Sequence, residues 1–259
     1  MRIGFITNLT EEDFKFAQKN EIPCVEYNCS ENLDFLEKKE DIKKWRKKYK
    51  VDFSMIGMFG RNHISDSREE RERIFSDVKK IIDFCEENSI PIFVTGAGEI
   101  KELPFEEKCK RAIEVLSSYV EYGKKRGVKI AIYNCRWTNF LVNPSGWEIV
   151  LNELKDVGIK FDPSHPFYEG DDYLKEARDW GNRFYHCHAK GAVIIDGKRF
   201  EDPPAGMDQI NWGVFMAILY HHNYKGDINI EPHCETWQKE RRYAGILIAK
   251  RFLEQFLVK

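Results

Sequence analysis

Short apolar runs recur along the chain, and each is followed by a longer stretch whose apolar residues fall at helical spacing. The runs predict strands at Ile3–Thr7, Cys24–Tyr27, Phe53–Gly57, Ile92–Thr95, Lys129–Tyr133, Ile159–Asp162, Phe184–His188 and Asp227–Glu231. The intervening patterns predict helices over 11–19, 31–49 (with a break), 67–88, 104–126, 145–155, 172–180, 211–222 and 236–256. Asn143-Pro-Ser145 and Asn211 supply helix caps, while Gly158 and Gly226 sit where a helix stops before the next strand. A β run followed by an α run, eight times over and without a break in composition, is the signature of one α/β domain, a (β/α)8 TIM barrel spanning residues 1–259. An open doubly wound sheet is the alternative. It is disfavoured because Thr7-Asn-Leu-Thr-Glu, after the first strand, lacks the glycines of a phosphate loop.

Three of the later runs end in polar side chains: Lys160-Phe-Asp-Pro-Ser-His165, Tyr185-His-Cys-His-Ala-Lys190 and Asp227-Ile-Asn-Ile-Glu231. Polar groups share one parity (Asp162; His186 and His188; Asn229 and Glu231). Ile159, Phe161, Tyr185, Cys187, Ile228 and Ile230 hold the other. Side chains alternate across a strand, so one face is chemically active and the other packs on helices. In a parallel barrel all strand tips meet at one rim, and the inward tips predicted here are Tyr133, Asp162, His188 and Glu231. Carboxylate, imidazole and carboxylate from separate strands form a mixed O/N donor set suited to Mn²⁺, Mg²⁺, Co²⁺ or Zn²⁺. Hydrogen-bonded barrel residues are the alternative for any one of them.

Composition narrows the function classes. The formal charge is −2 with acidic and basic residues interspersed, which argues against a nucleic-acid surface. No window approaches the apolar length of a membrane span, and the start Met-Arg-Ile-Gly-Phe-Ile-Thr reads as a strand rather than a secretory signal. Seven cysteines without paired spacing imply reduced thiols and a cytoplasmic location. Between the predicted strands and helices, Gly191–Ile210 is the longest stretch without predicted structure and reads as a binding loop or lid. Asn134-Cys-Arg-Trp-Thr-Asn139 is polar and aromatic. Arg136 suits a carboxylate or phosphate, Trp137 the apolar face of a sugar ring and Asn139 its hydroxyls, unless the loop merely caps itself.

Ile130-Ala-Ile-Tyr-Asn134, Phe161-Asp-Pro-Ser-His165, His186-Cys-His-Ala-Lys190, Pro204-Ala-Gly-Met-Asp-Gln-Ile-Asn-Trp212 and Asn229-Ile-Glu-Pro-His233 together resemble the xylose isomerase-like barrels of sugar phosphate isomerases and epimerases. The first half agrees only in rhythm, with Val25-Glu26-Tyr27 resembling the family's second strand. The resemblance implies a divalent metal held by Asp162, His188 and Glu231, with Glu231 also the catalytic acid/base. It implies substrate contacts from His165, His186 and Lys190; Glu26, following an early strand, is expected at the same mouth as a further substrate contact. It implies a small carbohydrate substrate, an ene-diolate route and a homo-oligomer, dimer or tetramer. Strand five departs from the pattern, because Tyr133 stands where the family carries a metal-binding glutamate. A phenol is a poor ligand for hard cations, though it can donate a proton. The expectation is therefore a metal-dependent sugar isomerase or epimerase using Glu231, Tyr133 and His165. A dehydratase of the inosose dehydratase kind, or a catalytically silent sugar-binding relative, is the alternative.

Overall fold

The computed structural model describes residues 1–29 and 32–258. Its strands are β1 (Arg2–Ile6), β2 (Cys24–Cys29), β3 (Asp52–Met58), β4 (Ile92–Thr95), β5 (Lys129–Tyr133), β6 (Val157–Phe161), β7 (Phe184–Ala189), β8 (Val193–Ile195), β9 (Lys198–Glu201) and β10 (Asp227–Ile230). All but β8 and β9 close into one parallel barrel in the order β1-β10-β7-β6-β5-β4-β3-β2. The expected (β/α)8 barrel is thus the fold, and each predicted strand lies in it.

The surrounding helices are α1 (Glu11–Lys19), α2 (Lys39–Tyr49), α3 (Arg68–Glu87), α4 (Phe105–Lys124), α5 (Pro144–Glu153), α6 (Ser164–Glu169), α7 (Tyr173–Trp180), α8 (Trp212–His221), α9 (Cys234–Gln238) and α10 (Arg242–Glu254). Local chemistry explains several starts. Thr10, Ser67, Asp172 and Asn211 each accept a hydrogen bond from a backbone N–H in the first turn. Asn143 takes the capping position of α5 without a side-chain bond, and Pro144 fills the first turn instead. The helix expected over 31–49 becomes a 3₁₀ turn at Asp34–Lys38 followed by α2, and its first residue lies outside the described residues. The one expected over 236–256 is interrupted between α9 and α10. No helix among the described residues is long and apolar enough to cross a membrane.

Two hydrophobic assemblies result. The larger lies between barrel and helices and contains Ile159, Phe161, Cys187, Ile228 and Ile230, the strand residues expected to face outward. The smaller groups Met55, Phe59, Ile92, Val94, Ala131 and Tyr133 inside the barrel on the β3–β5 side. Tyr185 departs from the parity rule. A bulge pairs Ile159 with Phe184 and Lys160 with His186, leaving Tyr185 as the extra residue, and its ring packs against the inner assembly. Gly158 is correspondingly a strand residue, not a helix stop. A Cβ there would overlap the Tyr185 ring.

Gly191–Ile210 is not structureless. β8 and β9 pair as a hairpin across Asp196-Gly197, both at positive φ, as a tight two-residue turn of this chemistry requires. Asp202, at the hairpin's end, accepts from Tyr168 Oη at 2.6 Å and lies 2.6 Å from His233 Nδ1, which ties the excursion to the segment after β10.

The last helix is locked to the first through a buried ion pair. Asp13 receives Arg242 Nη1 at 2.6 Å, Tyr243 Oη at 2.9 Å and Thr7 Oγ1 at 2.8 Å, while Arg242 Nη2 donates to the Ile6 carbonyl at 2.6 Å. Removing one partner strands the other charge out of water. Arg242→Met is expected to lower stability by about 3–5 kcal/mol, measured by denaturant titration, whereas a solvated pair would show under ~1 kcal/mol. On α7, burial, followed by Asp171 and Asp172, pushes the Glu176 carboxyl up to about 7. A raised carboxyl favours the fold in acid, and that contribution is lost as pH climbs from 4.5 through about 7. Glu176→Gln should therefore match the parent's melting temperature at pH 4 and exceed it at pH 8. Equal melting shifts at both values would count against the assignment.

Candidate active site and metal centre

The polar half of the barrel interior is built in two layers. In the lower one Glu26, from β2, is fully buried. Its Oε2 lies 2.6 Å from His186 Nε2 and accepts from Asn229 Nδ2 at 2.8 Å, and its Oε1 lies 2.6 Å from His188 Nε2. Burial alone would raise this carboxyl. The charges and hydrogen bonds of His188 and His186 outweigh that and hold it well below the usual carboxylate range. An ionised carboxylate only accepts, so both imidazoles present Nε2–H to it. Asn229 also donates to Ser54 Oγ at 2.6 Å, linking β10 to β3 across the closed barrel.

The upper layer faces a cavity of about 310 Å³ lined by Phe59, Trp137, Lys160, His165, His188, Lys190 and Glu231, among others. Asp162 follows β6 directly. Its backbone exchanges two 3.0 Å hydrogen bonds with the Asn134 side chain, and its Oδ1 accepts from the Ser164 N–H and hydroxyl at 2.9 and 2.7 Å. Its Oδ2 has no hydrogen-bond partner, and Lys190 Nζ and His165 Nε2 each lie 3.3 Å away. Against burial, Lys190 and then His165 hold the Asp162 carboxyl below its ordinary range. Burial and then Lys190 push His165 down to about 3, so its ring is neutral at neutral pH. Glu231 Oε2 lies 2.9 Å from His188 Nδ1, and burial of Glu231 is overcome by Lys190 and His188, which keep it ionised.

The expected site residues thus separate. Asp162, His188 and Glu231 offer one ligand atom each, all within 4.8 Å of one another, and His165 and Lys190 stand beside them. Glu26 and His186, expected at the mouth as substrate contacts, lie in the lower layer and do not line the cavity. Tyr133 is not brought to the cluster. Its ring stacks on Phe59 with centroids 4.4 Å apart, and its hydroxyl donates to the Trp137 carbonyl at 3.0 Å and accepts the Gly60 N–H at 3.3 Å. Burial pushes its phenol further up, which keeps it protonated. Asn139 is buried and spends its amide on the carbonyls of Tyr133 and Cys135 and on the N–H groups of Ala97 and Leu141, so it shapes its own loop. Arg136 and Trp137 stand at the mouth, Arg136 paired with Glu169 at 3.1 Å and Trp137 56 % exposed.

Three contributors carried weak sequence signals. Lys160 shares the parity of Asp162 and is buried on the cavity floor. Asn134 and Ser164 flank the strand tips and aim Asp162. The first was hidden inside an apolar run, and the others resembled ordinary turn residues.

The donor set fits a divalent ion. His188 gives Nε2–H to a carboxylate and turns Nδ1 toward Glu231, as a braced metal-binding imidazole does. Asp162 Oδ2, which no hydrogen bond engages, supplies an oxygen on the same side, with Lys190 and His165 next to it. Glu26, His186 and His188 also lie within 4.8 Å of one another, but their close contacts are the hydrogen bonds described above.

Comparison with known proteins agrees with this architecture. The family model for the xylose isomerase-like TIM barrel matches residues 14–254. The uncharacterized protein YfiH of Bacillus subtilis (strain 168) is 26% identical over 166 residues, 56% of this chain, and the match spans 52% of that relative's length. In structure, the D-psicose 3-epimerase of Clostridium cellulolyticum H10, solved with D-tagatose, superposes with a TM-score of 0.82 at 14% identity, covering 100% of both chains. The IOLI protein, solved with a bound zinc atom, superposes with a TM-score of 0.83 at 15% identity, again covering 100% of both chains. With a family model covering nearly its whole length, the chain belongs to the xylose isomerase-like TIM barrel family.

Proposed function

We propose that this protein is a metal-dependent isomerase or epimerase of a small carbohydrate. The reading is carried by the convergence of Asp162, His188 Nδ1 and Glu231 at one end of a sugar-sized cavity, with no hydrogen bond engaging Asp162 Oδ2. Asp162, His188 and Glu231 would hold the ion. Bound there, it would polarise the substrate carbonyl and stabilise charge that develops on its oxygen.

The protein's own groups supply the rest. Glu231, ionised and lining the cavity, removes the proton α to the carbonyl. His165, neutral and next to Asp162, binds a substrate hydroxyl, and Trp137 covers the ring's apolar face. Tyr133 was expected to return the proton. Its hydroxyl is engaged by the backbone of Gly60 and Trp137, which leaves Glu231 as the principal shuttle. One base on one face can move a proton between neighbouring carbons and, as the hydroxyl proton of the second carbon passes to the carbonyl oxygen of the first, give an aldose–ketose exchange. Inversion at a single carbon needs delivery on the opposite face, so the arrangement favours isomerisation over epimerisation.

Cysteines free of disulfide bonds among the described residues fit a reducing compartment, and we infer a cytoplasmic location. The balanced formal charge of −2 supports a small-molecule substrate over nucleic acid.

Incubation of Mn²⁺- or Zn²⁺-loaded protein with a panel of pentoses and hexoses in D₂O, followed by NMR, should give deuterium exchange next to the carbonyl and a paired aldose–ketose product. Glu231→Gln should slow the exchange about 10²–10⁴-fold. Exchange with no sugar under any of Mg²⁺, Mn²⁺, Co²⁺ and Zn²⁺ would remove the reading. Glu26→Gln tests the lower layer separately. It should weaken metal binding about 10–100-fold in a chelator competition, and unchanged affinity would show that His188 needs no brace.

A further inference from the structure

The two aromatic walls of the cavity, Phe59 and Trp137, sit on different loops, and one hydroxyl joins those loops. Phe59 and Gly60 follow β3, while Trp137 lies in the segment that follows β5. The Tyr133 hydroxyl stands between them. It accepts the Gly60 N–H at 3.3 Å and donates its own proton to the Trp137 carbonyl at 3.0 Å. The ring below it holds the first wall directly, stacked on Phe59 with centroids 4.4 Å apart and planes 14° from parallel.

Close approaches to glycine show where each wall is seated. Phe59 lies over Gly57, where a Cβ would come 2.4 Å from its ring. The Trp137 indole rests against Gly60, where φ is +74° and a Cβ would come 2.9 Å from the ring. Both walls are thus seated on backbone of the β3 side. For Trp137, which arrives from the β5 side, the phenol is a hydrogen-bonded tie to that seat. The residue type matters here. An ionised carboxylate only accepts, so the glutamate expected at this position could take the Gly60 N–H but could give nothing to the Trp137 carbonyl. A phenol does both, and burial keeps it protonated.

We propose that Tyr133 is a positioning residue: its hydroxyl holds the Trp137 wall to the loop that carries Phe59, and so sets sugar affinity without entering the proton transfer. This rests on the carbohydrate reading above and deepens it, because the walls it positions are those that enclose the sugar in that reading.

Tyr133→Phe removes the hydroxyl and keeps the ring on Phe59. In the metal-loaded protein it should raise KM, for whichever sugar the exchange assay identifies, about 5–10-fold and leave kcat within about twofold. Gly60→Ala displaces the same wall with the hydroxyl intact and should raise KM in the same sense. Fluorine NMR of protein carrying fluorotryptophan reads the wall without any sugar. The Trp137 resonance, identified by its loss in Trp137→Phe, should shift or broaden in Tyr133→Phe. An unmoved resonance overturns the proposal, and so does a moved resonance with KM unchanged. A kcat loss of about 10²-fold at constant KM also overturns it, since the phenol would then be a proton donor. A KM raised by Tyr133→Phe but not by Gly60→Ala would place the effect outside the wall and have the same consequence. If no sugar is turned over, the isomerase reading falls, and the resonance by itself decides whether Tyr133 holds the wall.

Discussion

Glu26 is an ionised carboxylate with no access to water, and the polar half of the barrel is arranged around satisfying it. Such a group survives in a protein interior only when its lone pairs are filled. Here His186, His188 and Asn229, from two strands that lie beyond β1 from Glu26, fill them together with Asn28 of the same strand. The consequence travels upward. With Nε2 of His188 fixed below, its ring has one orientation, and Nδ1 is delivered to the layer where Asp162 and Glu231 stand. The lower layer therefore sets the geometry of the layer above it.

The alternation of side chains made much of this legible. Parity alone separated Asp162, His188 and Glu231 from Phe161, Cys187 and Ile230, and the barrel puts the first set together and the second among the helices. What parity cannot give is depth. Glu26 and Glu231 look alike as inward carboxylates, yet one lies beneath the histidines and the other at the cavity. The difference depends on stagger between strands, which is a property of the closed sheet. Bulges defeat parity outright. One extra residue at Tyr185 turns a side chain expected outside into a plug for the interior, and Gly158 loses its side chain to make room. The hairpin β8–β9 was missed for a simpler reason. Its strands are exposed and partly charged, so nothing apolar marked them except the Asp-Gly turn.

The other half of the interior follows a different logic. Met55, Val94, Ala131 and Tyr133 form an apolar wall from β3 to β5, and the Tyr133 hydroxyl at its top is consumed by backbone groups of two loops. A tyrosine suits that place because it fills volume and still supplies one donor and one acceptor to loop backbone that would otherwise be stranded. Gly96 leaves space for the phenol, since a Cβ there would come within 2.5 Å of its oxygen. The residue that breaks the family's pattern thus has a structural role of its own, holding the segments that carry Gly60 and Trp137.

Tyr133 and Lys160 are register partners on adjacent strands, so the departure at strand five stands directly beside a buried lysine. Where the resemblance leads one to expect a carboxylate, the chain places a neutral ring. Next to it, inside the same cavity, it places an ammonium. A phenol in place of a carboxylate makes that side of the cavity less negative. The charge of Lys160 acts instead on Asp162 and Glu231, helping to hold both carboxyls ionised against their burial. Asp162, His188 and Glu231 thus keep their grouping without a carboxylate from the fifth strand.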